Sequence, residues 1–125
     1  MSGYAFDANI LIDALAGHEP ARVELRRAGA GEGAWISRMV WLEILSKGSP
    51  DQLRVARNFM SRFGMDEVDE SIAARAATLR RHRSRLRSPD AIILASALER
   101  GRTLVTRNTK DFPIGTAGVH VPYIL

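Results

Sequence analysis

The sequence contains no cysteine, and its three histidines are scattered along the chain. The lack of cysteine excludes disulfides, cysteine-ligated zinc, iron–sulfur clusters and a thiol nucleophile. The histidines, His18, His82 and His120, do not have the spacing of metal ligands. A metal site made of histidines alone is therefore not expected.

Long apolar runs, internal repeats and low-complexity linkers are also missing. The N-terminal segment MSGYAF has neither the charged region nor the apolar region of a secretory signal, and no run approaches the length of a membrane span. We therefore expect a cytoplasmic protein that is not bound to a membrane. The 125 residues, of which 46% are hydrophobic, suit one domain over residues 1–125.

Positive charge is concentrated in one stretch. The net charge is +4, and residues 80–87, RRHRSRLR, hold five arginines and no acid, so the rest of the chain carries −1. Such an arginine block suits a polyanion such as nucleic acid, or an acidic protein partner. A solvated, arginine-rich helix end explains it equally well.

Short apolar segments alternate with segments that have helical spacing. Strands are predicted at residues 4–6, 34–36, 65–68, 103–106 and 119–121. Helices are predicted at residues 8–17, 20–28, 38–47, 50–62, 70–82 and 89–101, with Ser37 and Ser88 as N-caps and a turn at 29–33. The alternation predicts an α/β fold with a parallel sheet covered by helices on both faces. Ligands of such sheets bind outside the carboxyl ends of the strands.

Four acids lie near predicted strand ends and within apolar sequence. Asp7 follows the first strand, and Asp111 follows the fourth in the stretch LVTRNTKDFP. Glu43 lies inside the helix after the second strand, and Asp90 lies in the first turn of the helix before the fourth. Because carboxylates are rarely placed in apolar surroundings without a partner, we expect these four to meet at one sheet edge.

Each acid also has a simpler structural explanation. Asp7 would serve as an N-cap, Glu43 as the i,i+4 partner of Lys47, Asp90 as a charge at a helix N-terminus, and Asp111 as a turn residue. For any one acid alone the simpler explanation is favoured. Four acids at the same edge favour a shared site.

A shared acidic site requires a positive charge. Two carboxylates about 4 Å apart repel by about 4 kcal/mol at an effective dielectric constant of about 20. No lysine or arginine is placed to pair with all four acids, and Mg²⁺ or Mn²⁺ suits a site made of oxygen ligands. These ions bind substrate phosphates and activate water, so the acids and the arginine block together indicate phosphodiester hydrolysis.

Four segments in this order resemble PIN-domain ribonucleases, most closely the toxin subunits of VapBC toxin–antitoxin pairs. They are FDANILIDAL, the spacing from Ser37 to Glu43, PDAIILASALERG and LVTRNTKDF, and the resemblance covers essentially the whole chain. It implies a PIN-like sheet of about five strands in the order 3-2-1-4-5, RNA as the substrate and a homodimer. It also implies a cognate VapB-like antitoxin, which the helices near residues 9–28 and 37–62 would bind.

The resemblance also implies roles for individual residues. Asp7 and Asp90 would be the main ligands of Mg²⁺ or Mn²⁺, and Glu43 and Asp111 would be further ligands, some through water. The supporting polar groups would be Asn9, Thr106 and Asn108. We further expect the RNA backbone to bind beside the acids, at Arg83, Arg85 and Arg87.

Different functions are compatible with parts of this pattern. A phospho-accepting receiver domain has a similar length and also binds Mg²⁺ at strand ends, but it needs an acidic pair at the first strand and an aspartate directly after the third. Here the first strand ends in Asp7 alone, and Asp69 and Glu70 open a helix. An RNA-processing PIN nuclease that has no antitoxin would also fit the sequence, as would a PIN fold that only binds RNA or protein.

Overall fold

The structure, a computed structural model, describes residues 3–31 and 33–125. Within this part of the chain the strands are β1 (Tyr4–Phe6), β2 (Ala34–Ser37), β3 (Gly64–Asp66), β4 (Thr103–Val105) and β5 (Val119–His120). The helices are α1 (Ala8–Leu15), α2 (Glu19–Ala30), α3 (Arg38–Ile44), α4 (Pro50–Met60), α5 (Glu70–His82) and α6 (Ser88–Glu99).

The five strands form one parallel sheet in the order β3-β2-β1-β4-β5, which confirms the predicted fold class and strand order. The chain moves outward from β1 to β3 and then crosses to the other side of β1 for β4 and β5. Because parallel crossovers are right-handed, the helices of the two halves lie on opposite faces. The order therefore reverses between β1 and β4, and sheets of this kind bind ligands at such a point, outside the carboxyl ends of the strands.

Side-chain caps start several of the helices at the predicted residues. Asp7 caps α1 by accepting a hydrogen bond from the N–H of Ala8, and Ser37 caps α3 by accepting one from Met39. Ser49 and Gln52 form a capping box at the start of α4. These caps fix the direction in which α1 and α3 leave the strand ends.

Several predicted boundaries were wrong by a few residues. Helix α2 continues to Ala30, so Gly29 is helical, and α3 ends at Ile44 and not at Lys47. The N-cap of α6 is Arg87, and the predicted cap, Ser88, is the first helical residue. Helix ends are set by weak local preferences that tertiary packing overrides, whereas the central residues of each element follow from the apolar pattern.

The core lies on both sides of β1, β2 and β4. Phe6, Ile36 and Leu104 are at most 1% exposed, and Phe112 anchors the loop after β4 at 0%. Each buried side chain of this size contributes about 1.5–3 kcal/mol through removal of apolar surface from water. Among the described helices, none combines the length and the hydropathy that a membrane crossing requires.

Candidate functional site

The adjacent ends of β1 and β4 bring the first site residues together. Phe6 pairs in register with Val105, and the N–H of Asp7 donates to the carbonyl oxygen of Val105 at 2.9 Å. Asp7 and Thr106 therefore leave the sheet side by side, and the Thr106 hydroxyl donates to Asp7 Oδ2 at 2.8 Å.

Asp7 is the N-cap of α1, as its simpler explanation proposed, and both of its carboxylate oxygens accept hydrogen bonds. Its Oδ1 accepts the helix-capping hydrogen bond from Ala8 at 2.8 Å, while Oδ2 accepts from Thr106 and from the Asn9 amide at 3.4 Å. The residue is 5% exposed. The capping hydrogen bond and the contact with Thr106 fix the carboxylate beside the ends of β1 and β4.

The loop after β4 carries Asn108 and Asp111. The Asn108 side chain donates to Asp111 Oδ2 at 2.9 Å and accepts from the Asp111 N–H at 3.2 Å. The Asn108 N–H donates to Thr106 Oγ1 at 3.0 Å, which ties the loop to Asp7 through one hydroxyl. Asp111 is a turn residue, as its simpler explanation proposed, and it also faces the other acids.

Asp90 is the acid with the least satisfied carboxylate. It lies in the first turn of α6 and is 6% exposed, but its Oδ2 is buried without a hydrogen-bond partner among the described residues. Arg87 Nε lies 3.6 Å from this oxygen, beyond hydrogen-bond range, and the Arg87 side chain is 75% exposed. A buried carboxylate oxygen in this state is suited to accept a cation.

Glu43 is the next-to-last residue of α3 and is half-buried. The ion pairs of the described part of the chain do not include a pair between Glu43 and Lys47, so the structure does not support that simpler explanation. Glu43 lies near enough to Asp7 and Asp90 for their charges to add to burial in raising its pKa.

The pKa values show that the four acids share one electrostatic environment. Burial is the main cause that raises the pKa of Asp7, of Glu43 and of Asp90 above the ordinary range. Repulsion adds to it: Asp90 and Asp111 raise the pKa of Asp7, and Asp111 raises that of Asp90. Arg87 lowers the pKa of Asp90 but does not cancel the effect of burial. The structure thus brings together residues that are far apart in sequence.

The donor set fits a hard divalent ion. The side chains are carboxylates and neutral oxygen groups, which Mg²⁺ and Mn²⁺ prefer. Asp90 Oδ2 forms an ion pair with the exposed Arg87 but accepts no hydrogen bond among the described residues. Within residues 3–31 and 33–125, no three carboxylate or imidazole groups are arranged closely enough to hold an ion as they stand. The acids therefore line a common edge without forming a closed cage.

A basic cleft adjoins the acids. It has a volume of about 1040 Å³, and one wall contains Asp111. The other lining residues are His82, Arg83, Ser84, Arg85, Leu86, Arg87 and Lys110. Arg83 also donates a hydrogen bond to the carbonyl oxygen of Asp111, so it supports the loop in addition to contributing charge. Arg85 and Arg87 are exposed.

A second cleft, of about 550 Å³, is mostly apolar and lies between α1, α3 and α4. Ile12 and Val55 line it and are 51% and 54% exposed, while Glu43 lies at its edge. The apolar cleft therefore reaches the acidic site through Glu43.

Sequence reasoning missed a buried cluster beside the site. Asp13 of α1 accepts hydrogen bonds from both Arg107 and Tyr123. The signal was present: Asp13 lies in the apolar stretch ANILIDAL, where a carboxylate requires a partner. The partners are 94 and 110 residues away, so no local pattern identified them.

The family model described as "PIN domain" matches residues 4–113 of the chain. No curated protein matches the chain significantly. Solved structures do match it over nearly its whole length.

One of them is a toxin–antitoxin complex from Klebsiella pneumoniae, with 37% identity, a TM-score of 0.86 and coverage of 98% of this chain and 99% of that chain. A DNA-bound VapBC from Salmonella typhimurium has 22% identity, a TM-score of 0.83 and coverage of 98% and 100%. VapBC2 from Rickettsia felis, bound to a promoter DNA fragment, has 20% identity, a TM-score of 0.79 and coverage of 94% and 96%. The two structures below 25% identity show that the fold is shared.

Proposed function

The chain belongs to the PIN domain family, whose members are nucleases, and on that premise we propose that it is a metal-dependent endoribonuclease that acts as the toxin of a toxin–antitoxin pair. The observation that carries the proposal is the meeting of Asp7, Glu43, Asp90 and Asp111 at one sheet edge, with three pKa values raised and one carboxylate oxygen unsatisfied. A group of acids in this state is costly to the fold, and a bound cation would offset that cost.

Asp7 and Asp90 would be the main ligands of Mg²⁺ or Mn²⁺, with Glu43 and Asp111 as further ligands. When bound, such an ion supplies an activated water near neutral pH and stabilises charge on phosphoryl oxygens. The chain's own groups orient the ligands. Asn9 and Thr106 hold Oδ2 of Asp7, and Asn108 holds Oδ2 of Asp111.

The basic cleft would bind the RNA backbone on the side of Asp111. Arg85 and Arg87 are exposed there and Lys110 lies in the same lining, so a phosphate in the cleft would be next to the acids. Arg87 would link the acids to the basic cleft, because its side chain approaches Asp90 and also lines the cleft. This placement would hold the scissile bond against the acidic edge.

The apolar cleft would bind a VapB-like antitoxin. The Klebsiella pneumoniae relative is described as part of a toxin–antitoxin complex, and the cleft between α1, α3 and α4 exposes Ile12 and Val55 next to Glu43. An amphipathic segment seated there would cover the apolar surface and approach the acids. We also propose that the protein forms a homodimer, as the resemblance implies, and that it acts in the cytoplasm.

A nuclease without an antitoxin is the second candidate function, since the same acidic site would serve it. A small reading frame beside the gene, encoding a protein with a basic tail, would favour the toxin. A receiver domain is set aside because the PIN family model matches residues 4–113.

The nuclease proposal is tested by incubating total RNA with the wild type, Asp7→Asn and Asp90→Asn, with and without Mg²⁺ or Mn²⁺. We expect cleavage only by the wild type with metal, and a fall of at least about a hundredfold in each variant. Mn²⁺ should also raise the Tm of the wild type more than that of Asp90→Asn. Cleavage that survives chelation, or variants as active as the wild type, would show that the nuclease assignment is wrong.

A further inference from the structure

We propose that the buried cluster of Asp13, Arg107 and Tyr123 positions the acids of the candidate site, and that Arg107 is its central positioning residue. Asp13 is 7% exposed, and the Arg107 side chain is 29% exposed. Arg107 Nε donates to Asp13 Oδ2 at 2.5 Å and Nη2 donates to Oδ1 at 3.0 Å, while the Tyr123 hydroxyl donates to Oδ2 at 2.8 Å. The inference rests on the proposed nuclease function.

Helix α1 holds residue 107 at two points. Asn9 and Asp13 are four residues apart and therefore lie on one face of α1. Asp13 holds the Arg107 side chain, and Asn9 Oδ1 accepts a hydrogen bond from the Arg107 N–H at 3.3 Å. A bidentate pair fixes both the distance and the orientation of the guanidinium, so the backbone at residue 107 is fixed to α1.

Residue 107 lies between two groups that contact the acids. Thr106, before it, donates to Asp7, and Asn108, after it, holds Asp111 through two hydrogen bonds. The Asn9 amide also donates to Thr106 Oγ1 at 3.2 Å. The hydrogen bonds therefore run without a gap from Asp13 through residue 107 to Asp7 and Asp111. A shift of residue 107 would move both carboxylates relative to each other.

The cluster also gives the C-terminal segment a role in the site. Tyr123 lies beyond residues 4–113, the part of the chain that the PIN family model matches. Its hydroxyl satisfies Asp13 together with Arg107, and both hydrogen bonds hold the pKa of Asp13 below its ordinary range. Tyr123 thus helps to fix the Asp13 carboxylate that holds Arg107.

The test compares Arg107→Lys with Arg102→Lys. Arg102 forms the second bidentate buried pair, with both nitrogens 2.8 Å from the carboxylate of Asp66, but Asp66 belongs to edge strand β3, two strands from β1. Both variants keep the positive charge of the side chain but lose the planar guanidinium that makes two parallel hydrogen bonds to a carboxylate. Tm, kcat, KM, Mn²⁺ affinity by calorimetry and the side-chain amide NMR signals of Asn9 and Asn108 are measured for each.

For Arg107→Lys we expect kcat and Mn²⁺ affinity to fall by about tenfold or more, with KM little changed, and the two amide signals to move. Arg102→Lys should lower Tm by a comparable amount but leave kcat and Mn²⁺ affinity within about twofold of the wild type. Tyr123→Phe should show the Arg107→Lys pattern to a smaller degree. If Arg107→Lys lowers Tm while kcat, Mn²⁺ affinity and the amide signals match Arg102→Lys, the cluster only stabilises the fold and the inference is wrong.

The amide signals separate this inference from the nuclease proposal, because they need neither RNA nor metal. If the wild type cuts no RNA, the nuclease function is contradicted. If the Asn9 and Asn108 signals of Arg107→Lys are nevertheless displaced from their wild-type positions, the positioning role is retained. Unchanged signals would reject the positioning role whatever the activity.

Discussion

At the scale of single residues, Asp90 is held in a state that folding alone disfavours. It is 6% exposed, one of its oxygens has no hydrogen bond among the described residues, and burial followed by the charge of Asp111 raises its pKa. When the folded-state pKa is higher than the unfolded-state pKa, the folded protein binds more protons between the two values. Stability therefore falls as pH rises through that window, and the penalty persists above it.

Replacing Asp90 with Asn should stabilise the protein at pH 8 by about 1 kcal/mol, because the amide removes the buried charge without changing the shape. The difference should disappear below the ordinary pKa of aspartate, about pH 4, where both states of the wild type are protonated. Denaturant unfolding of both proteins at pH 8 and at low pH measures this difference in the free energy of unfolding.

Asp69→Asn is the matched control, for which we expect the opposite change in stability. Hydrogen bonds from the N–H of Ile72, from Arg100 and from Ser71 lower the pKa of Asp69 to about 2, so its ionised form stabilises the fold above the unfolded-state pKa. This variant should lose stability at neutral pH and approach the wild type as pH falls toward 2. An Asp90→Asn variant that is less stable than the wild type at pH 8 would show that the Arg87 contact outweighs burial.

The arginines of the basic cleft do not have equal roles. Arg83 donates to the Asp111 carbonyl oxygen, so its replacement would disturb the site as well as remove charge. Arg85 and Arg87 are exposed and give the cleaner test of RNA binding.

The double variant Arg85→Gln/Arg87→Gln should weaken RNA binding and lower the slope of log affinity against log salt by about 1.4, since each lost phosphate contact contributes about 0.7 for a single strand. Fluorescence anisotropy with a labelled RNA across a salt series measures the slope. Arg54→Gln/Arg62→Gln removes the same charge from exposed positions outside the cleft and should leave the slope unchanged. Equal slopes in the two double variants would exclude the cleft from RNA binding.

At the scale of secondary structure elements, the β2–β3 edge depends on a close contact between Trp35 and Gly64. The two residues pair in register, and a Cβ on Gly64 would lie 2.3 Å from the indole ring. The Arg102 guanidinium lies 3.7 Å from the centre of the same ring while its nitrogens bind Asp66, the last residue of β3. The ring is thus confined between a glycine and a fixed cation.

Gly64→Ala should destabilise the protein by about 2 kcal/mol or more, because neither the ring nor the strand can move without breaking the Arg102–Asp66 contact. Gly29→Ala is the control: Gly29 lies in helix α2 with no atom within 4 Å of an added Cβ. That change should be neutral or stabilise by about 0.5–1 kcal/mol. Unfolding in urea, followed by tryptophan fluorescence, compares the two, and equal effects would contradict the role of the Trp35 contact.

The elements themselves were largely predictable because their centres follow from apolar periodicity and the starts of α1 and α3 from the caps Asp7 and Ser37. Some of their ends were not. Gly29 was interpreted as part of a turn, but it lies in α2, whose buried Ala28 packs in the core. Ser88 was interpreted as a cap but lies inside α6. At Gly29, packing of the neighbouring Ala28 outweighed a local preference of about 1 kcal/mol.

At the scale of the whole molecule, the strand order explains how much of the site could be predicted. The four acids could be selected from sequence because each lies in apolar sequence, where a carboxylate requires a partner, and the structure places them near enough for their charges to act on one another. The contacts that position these acids could not be predicted from the sequence. The Arg107–Asp13 and Thr106–Asp7 pairs join residues 94 and 99 positions apart, and only the closed fold brings them together.

The last prediction concerns the partner that the apolar cleft would bind. Ile12 and Val55 are large apolar side chains about half exposed on α1 and α4, and the cleft between them ends at Glu43. Such exposed apolar area in one groove is typical of a site for an amphipathic segment. Val55→Glu should therefore weaken antitoxin binding by about tenfold or more, since it places a charge in an apolar contact. RNA cleavage by the free protein should be retained, because Val55 lies on α4, which carries none of the four acids.

Val68→Glu is the matched control, since Val68 is 40% exposed and lies after β3, outside this cleft. Co-purification and calorimetry with the product of the adjacent small reading frame measure binding, and growth on induction measures the biological effect. Val55→Glu should make the cell sensitive to the protein even when the antitoxin is present, because cleavage is retained and inhibition is lost. Binding that survives in Val55→Glu but fails in Val68→Glu would place the partner elsewhere, and no binding by the wild type would favour the nuclease that acts without an antitoxin.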